Sequence, residues 1–120
     1  MKASLNYFLP DDGVRLKASI RSKRNLHDGL TFTYRPVDQI ERKSLSYQLT
    51  ILQNEEKYDE AARRELEETL KRIDSWDIPI TPDQFITGKA KMNPELFQDI
   101  YRIVWGFAGA DELEVIAKNS

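Results

Sequence analysis

Residues 37–76 read VDQIERKSLSYQLTILQNEEKYDEAARRELEETLKRIDSW, and the fold turns on whether this stretch makes one helix or two. At about 1.5 Å per residue, an unbroken helix from Val37 to Ile73 would be roughly 55 Å long. A 120-residue domain has a diameter of about 35 Å by the usual size scaling. The length therefore predicts a break, and Gln53-Asn54-Glu55-Glu56 is the natural place. Asn54 can cap the second helix, with Glu55 and Glu56 in its first turn, where negative charge is favoured. The result is an antiparallel helical hairpin; the alternative is a long helix projecting from the body as a partner-binding arm.

In the first helix Val37, Ile40, Tyr47 and Ile51 form one apolar stripe, which Leu45, Leu49 and Leu52 widen. In the second, Tyr58, Ala62, Leu66, Leu70 and Ile73 recur at three and four residues. Its other face carries Asp59 with Arg63, Glu60 with Arg64, Glu67 with Lys71 and Glu68 with Arg72. Each pair has the acidic residue first, the better order, and contributes about 0.2–0.5 kcal/mol. Ser75-Trp76-Asp77-Ile78 closes the hairpin, and Trp76 is expected to lock the end of the second helix onto a sheet or onto the first helix.

Upstream, Asp11-Asp12-Gly13 is a turn signal. Val14, Leu16, Ala18 and Ile20 then alternate with Arg15, Lys17, Ser19 and Arg21, the mark of a half-buried strand. An eight-residue loop from Ser22 to Gly29 follows. Leu30, Phe32 and Tyr34 alternate with Thr31, Thr33 and Arg35 in a second strand rich in β-branched and aromatic residues. The two strands pair antiparallel, and residues 4–9 are a candidate third. Pro36 ends the second strand.

Downstream, Pro79 keeps the chain extended through residues 77–80. Thr81-Pro82-Asp83-Gln84 is a helix start with Thr81 as cap and Gln84 three residues on; Thr87-Gly88 stops that helix. Asn93-Pro94-Glu95 repeats the start signal. The helix it opens carries Leu96, Phe97, Ile100, Tyr101, Ile103, Val104, Trp105 and Phe107, apolar most of the way round, so it is either buried in the core or covered by a partner. Gly106 or Gly109 ends it. Residues 111–118 read as a last short helix. The expected architecture is thus α+β in one domain spanning 1–120. It has a β-rich part over 1–36, a helical hairpin over 37–76, and an extended segment with short helices over 77–120.

The formal net charge of −2 argues against a dedicated nucleic-acid binder, but its distribution is uneven. Residues 1–36 hold seven Lys/Arg against three Asp, and the remainder holds eleven against seventeen. Arg15, Lys17, Arg21, Lys23 and Arg24 form a candidate basic patch, which either steers a partner or is a solvated face. Phe32 and Tyr34 lie close by, but alternation puts them on the opposite face from Arg35, which suits a core better than a base-stacking platform. There is no cysteine, which excludes disulfides and thiolate sites and fits a reducing cytoplasm. No apolar run is long enough to span a membrane, and residues 1–10 carry too short a one for a signal peptide.

Catalytic motifs are missing. The single histidine, His27, sits in a loop beside Asp28-Gly29 and reads as surface. No serine has a histidine and an acid at recognisable spacing, and the five glycines build no phosphate-binding loop. Asp11-Asp12-Gly13 echoes a calcium loop but lacks the other ligands. No cofactor or metal is expected.

Two segments carry a family resemblance. The first is Leu30-Thr31-Phe32-Thr33-Tyr34-Arg35-Pro36 followed at once by a charged helix. The second is Ile73-Asp74-Ser75-Trp76-Asp77-Ile78, then Pro79-Ile80-Thr81-Pro82-Asp83 and a helix opening at Asn93-Pro94-Glu95-Leu96. This order resembles the small tail assembly chaperone-like proteins of phage and prophage tail modules, over residues 30–107. It departs in lacking the extra polar residues that relatives carry between the Trp-Asp pair and the Pro-x-Thr-Pro segment. The resemblance implies a non-enzymatic role in the host bacterial cytoplasm. Such a protein keeps the tape measure protein soluble while tail tube subunits assemble, and is absent from the finished tail. It brings no active-site residues.

A holdase needs exposed apolar surface. Leu96, Ile100, Tyr101, Val104, Trp105 and Phe107 are the candidate partner-binding residues, unless they fill the core; Trp76, Phe32 and Tyr34 are expected to be structural. Competing expectations are another interaction module, such as a head–tail structural component or regulatory adaptor, and a nucleic-acid binder using the basic strands. The chain is also a candidate homo-oligomer.

Overall fold

The computed structural model describes residues 15–116. The candidate strand over 4–9 and the turn at Asp11-Asp12-Gly13 lie outside them. Alternation makes the first hairpin as expected. Strand β1 (Arg15–Ile20) buries Leu16, Ala18 and Ile20, and β2 (Leu30–Tyr34) buries Leu30, Phe32 and Tyr34. They pair antiparallel with Ala18 opposite Phe32. In the loop between them a Cβ on Gly29 would sit 3.1 Å from the Ile20 carbonyl oxygen and 3.2 Å from the Ser22 nitrogen, so the chain closes tightly there.

The helical pair is broken where chain length requires. Helix α1 (Gln39–Asn54) starts at Asp38, whose carboxylate accepts the Glu41 N–H at 2.8 Å. Helix α2 (Tyr58–Leu70) returns antiparallel, and Arg72 beyond its end reaches Glu41 in the first turn of α1 at 3.0 Å. Asn54 is not the cap of α2: it is the last residue of α1, and the turn is made by Glu56 at φ 60°. Of the four acid-first pairs on α2, Glu68–Arg72 alone is within ion-pair distance among the described residues, at 3.7 Å; Lys71 bonds Glu68 rather than Glu67.

The stripe on α1 points the opposite way from the expectation. Leu45 and Leu49 are buried and Leu52 half-buried, whereas Ile40 is 78% exposed, Tyr47 69% and Ile51 40%. At about 100° per residue the two sets lie roughly 140° apart around the helix, so only one can face α2 and the core. The leucines take that place.

Helix α2 stops at Leu70, and Ile73–Trp76 is a strand, β3, instead of a helical last turn. Its pairing with β2 sets Trp76 opposite Phe32, with a register shift at Thr33/Tyr34, and Arg35 donates its N–H to the Arg72 carbonyl at 2.9 Å. The open side of β2 offers these residues a ladder, which outweighs one more helical turn for β-branched Ile73 and aromatic Trp76. Trp76 therefore does not lock α2. It is half-buried, donates Nε1–H to the Ile80 carbonyl at 2.7 Å, and meets Phe85 edge-on at 5.7 Å, pinning the extended segment that follows.

Helix α3 (Pro82–Ile86) begins after Thr81, which has extended backbone but makes no side-chain cap bond. Helix α4 (Pro94–Val104) is capped by Asn93, which accepts the Glu95 and Leu96 N–H groups at 2.9 and 3.4 Å. Gly106, at φ 79°, turns the chain out of it, and Phe107 N–H closes back on the Arg102 carbonyl at 2.7 Å.

The expected last helix is instead strand β4 (Glu112–Ile116), antiparallel to β1 with Lys17 opposite Glu114. Here too an unpaired strand edge decides, because β1 has β2 on one side only. The sheet order is β3-β2-β1-β4. One face carries the buried residues of β1 and β2 and receives the helices. The other presents Arg15, Lys17, Ser19, Thr31, Thr33 and Ser75 in a polar layer; the Ser19 and Thr31 hydroxyls lie 3.1 Å apart. The fold class is α+β, as the alternation and helical periodicity predict.

Candidate partner-binding surfaces

The aromatic C-terminal helix divides between core and surface. Ile100, Val104 and Trp105 are 0%, 2% and 1% exposed and cannot meet a partner without unfolding. Trp105 donates its indole N–H to the Thr69 hydroxyl at 2.9 Å, and the Arg72 guanidinium lies over its ring at 4.6 Å. Leu96 and Tyr101 are half-buried. Phe107 is exposed but already stacked on Tyr101, centroids 6.0 Å apart, with the Arg42 guanidinium 5.1 Å from its ring centroid. This helix is a wall of the core, into which it buries Phe97, Ile100, Ile103 and Val104.

The basic patch is answered locally by acid. Arg15 bonds Asp74 across β2. Lys17 is opposite Glu114 across the β1–β4 pair, and both line a recess with Glu112. The Arg21 backbone N–H, not its guanidinium, meets the Asp111 carboxylate at 2.6 Å, and Lys23 pairs with Asp99 at 2.8 Å. Arg24 is at the exposed loop tip. Strand β4 sets Glu112 and Glu114 beside β1, so acid offsets part of the positive charge of that strand. Phe32 and Tyr34 are core residues, and burial pushes the Tyr34 hydroxyl up to about 12.

His27 is not on the surface. Its side chain is 1% exposed, with Nδ1 2.8 Å from the Asp28 carbonyl oxygen and Nε2 2.7 Å from Asp99 Oδ2. An oxygen thus lies within hydrogen-bond distance of each ring nitrogen. Burial alone would raise the Asp99 carboxyl, but hydrogen bonds and charge from Lys23 and His27 outweigh it and hold it below its ordinary value. With Asn93 Nδ2 donating to the Leu26 carbonyl at 2.6 Å, the cluster clips the β1–β2 loop to the start of α4.

A larger concavity lies elsewhere, between α2, α3, the 87–93 connection and α4. It is a cleft of about 710 Å³. Phe85 and Phe97 are its buried floor, and Ala62, Leu66, Ile86 and Met92 its walls. Arg63, Glu65 and Lys91 are the ionisable groups on its margin; partial burial raises the Glu65 carboxyl. Flexible Met92 lets such a wall adapt to different side chains. The sequence hint was the run Ile86, Ala90, Met92, apolar residues in a connection between two helix starts. Nothing local showed that they would face Ala62 and Leu66.

A second apolar surface is the outer stripe of α1, Ile40, Tyr47 and Ile51, with Tyr58 63% exposed beyond it. Among the described residues no group of three His, Asp or Glu is placed to hold a metal ion, and no helix is long and apolar enough to cross a membrane. Compared with known protein families, curated proteins and solved structures, the chain matches none.

Proposed function

We propose that the chain is a non-enzymatic assembly chaperone, like the phage and prophage tail proteins that its sequence resembles, acting in the host cytoplasm on the tape measure protein or on tail tube subunits. The observation that carries this is the cleft between α2, α3 and α4, with its aromatic floor, aliphatic and Met92 walls, and charges kept to the margin. Such a groove suits the apolar face of an amphipathic helix, read through two or three anchor side chains. A tape measure protein held before the tube encloses it would present such helices. The margin holds one carboxylate and two cations, an arrangement for orienting a bound segment and not for converging on one reacting atom.

Co-expression with a tape measure fragment or tube subunit tests it. The wild-type chain is expected to keep that client in the soluble fraction and to co-purify with it. Leu66→Glu, at a half-buried cleft position, is expected to abolish co-purification while the chain remains folded. A client equally soluble without the chain, or captured as well by Leu66→Glu, would overturn it. Other interaction modules, a head–tail component or a regulatory adaptor, fit the same cleft, but the resemblance over residues 30–107 favours the chaperone.

A further inference from the structure

We infer that the outer face of α1 is a self-association surface, on which a second copy of this chain docks its own α1 antiparallel across a two-fold axis. The inference is independent of the role assigned to the cleft. It rests on the spacing and sizes of the residues that α1 leaves in solvent. Ile40, Ser44, Tyr47 and Ile51 follow one another at four, three and four residues, the spacing of a helix–helix seam, and all four are exposed. The helix needs none of them to hold its place, because Leu45 and Leu49 face the core from the other side.

The stripe is complementary to itself. In an antiparallel pair centred between residues 45 and 46, Ile40 meets the second copy's Ile51, and Tyr47 meets the second copy's Ser44. Two aliphatic residues pack together at the ends. In the middle the largest side chain of the stripe lies over the smallest, and does so twice by symmetry. The Ser44 hydroxyl oxygen already accepts from Gln48 Nε2 at 3.1 Å, so its acceptor side has a partner when an aromatic ring covers it. The flanks agree. The two-fold places Lys43 near the second copy's Thr50, and Glu41 near the second copy's Gln48, so neither flank sets like charges opposite each other.

A client helix is the alternative occupant, but it explains neither the self-complementary size order nor flanks that set no like charges opposite each other. Of the two sheet edges, that of β4 argues against itself as a homotypic contact, because it would bring Glu112 and Glu114 against the same acidic pair of a second copy. A single pair of 16-residue helices is a small interface, so the dimer is expected to dissociate on dilution.

Sedimentation velocity of the full chain over a dilution series tests this, with Tyr47→Glu as the variant. The wild type is expected to shift from dimer to monomer as it is diluted. Tyr47→Glu is expected to be monomeric throughout with an unchanged melting temperature, since Tyr47 is 69% exposed. Because the chain has no cysteine, geometry can be read directly. Mixed Ser44→Cys and Tyr47→Cys chains are expected to form a mixed disulfide, and Asp59→Cys paired with either is not. A wild type that is monomeric at every concentration, or a dimer that survives Tyr47→Glu, overturns the inference. So does a dimer lacking the 44–47 cross-link. Loss of client capture by Tyr47→Glu in a chain that never dimerises would assign the stripe to the client instead.

Discussion

His27 and Asp99 are joined side chain to side chain at 2.7 Å, across 72 positions of sequence. The bond ties the loop of the N-terminal hairpin to α4, which no local feature of either segment requires. Lys23 shares the same carboxylate at 2.8 Å.

This cluster makes stability acid-sensitive in a definite direction. Burial works against the Asp99 charge, but hydrogen bonds and charge from Lys23 and His27 prevail, so its folded carboxyl titrates below the ordinary 3.8. A group depressed on folding contributes its full stability above its unfolded value and loses it as the pH falls through the folded one. The wild type is therefore expected to lose the Asp99 contribution below pH 3.8, and Asp99→Asn to lack that part of the acid dependence. At neutral pH, Asp99→Ala is expected to cost about 1–3 kcal/mol in urea unfolding, as for loss of hydrogen bonds between charged partners.

Trp105→Ala is expected to be the most damaging single truncation, at about 3–5 kcal/mol, because the ring is 1% exposed. Thr69→Val separates shape from hydrogen bonding. It keeps the volume and strands the buried indole N–H, for an expected loss of about 1–3 kcal/mol. Chemical denaturation of both variants checks the order.

Trp76→Ala is expected to cost less than Trp105→Ala by the same measurement. Its ring is half-buried and holds an extended segment through one 2.7 Å bond to Ile80, not the end of a helix. A loss equal to that of Trp105→Ala would mean that β3 and residues 77–80 belong to the central cooperative unit.

Gly106→Ala is expected to destabilise by about 1–2 kcal/mol, the cost of placing an L-residue in the left-handed region. Its φ is 79°, and the added Cβ would come within 2.5 Å of Arg42 Nη2, a flexible tip able to swing aside. The backbone conformation therefore sets the cost, and Gly106→Asn is expected to recover part of it.

In gel-shift titrations at low salt, short DNA and RNA duplexes are expected to give no complex. Arg15 and Lys23 are ion-paired to carboxylates and Lys17 lies opposite Glu114, so few cations of the strands are left to displace counterions. Retention that falls steeply with added salt would restore the basic strands as an interface.

Local chemistry was legible wherever neighbours in sequence decide the outcome. Alternation named both faces of residues 15–20 and 30–34, chain length and polar composition placed the break near residues 53–56, and Asn93-Pro94 announced its helix. Periodicity carries the second helix to Ile73 and reads residues 111–118 as helix, whereas 73–76 and 112–116 are strands, because a strand's hydrogen bonds belong to its neighbour and only the assembled β1–β2 pair offers open edges. On α1 periodicity found two apolar stripes, but which one faces inward depends on what α2 and the sheet present. The cleft brings Ala62 and Leu66 against Phe85, Met92 and Phe97, and the His27–Asp99 bond joins distant segments in the same way. Contacts of this kind arise from packing in three dimensions, and so they became visible only once the helices were set on the sheet.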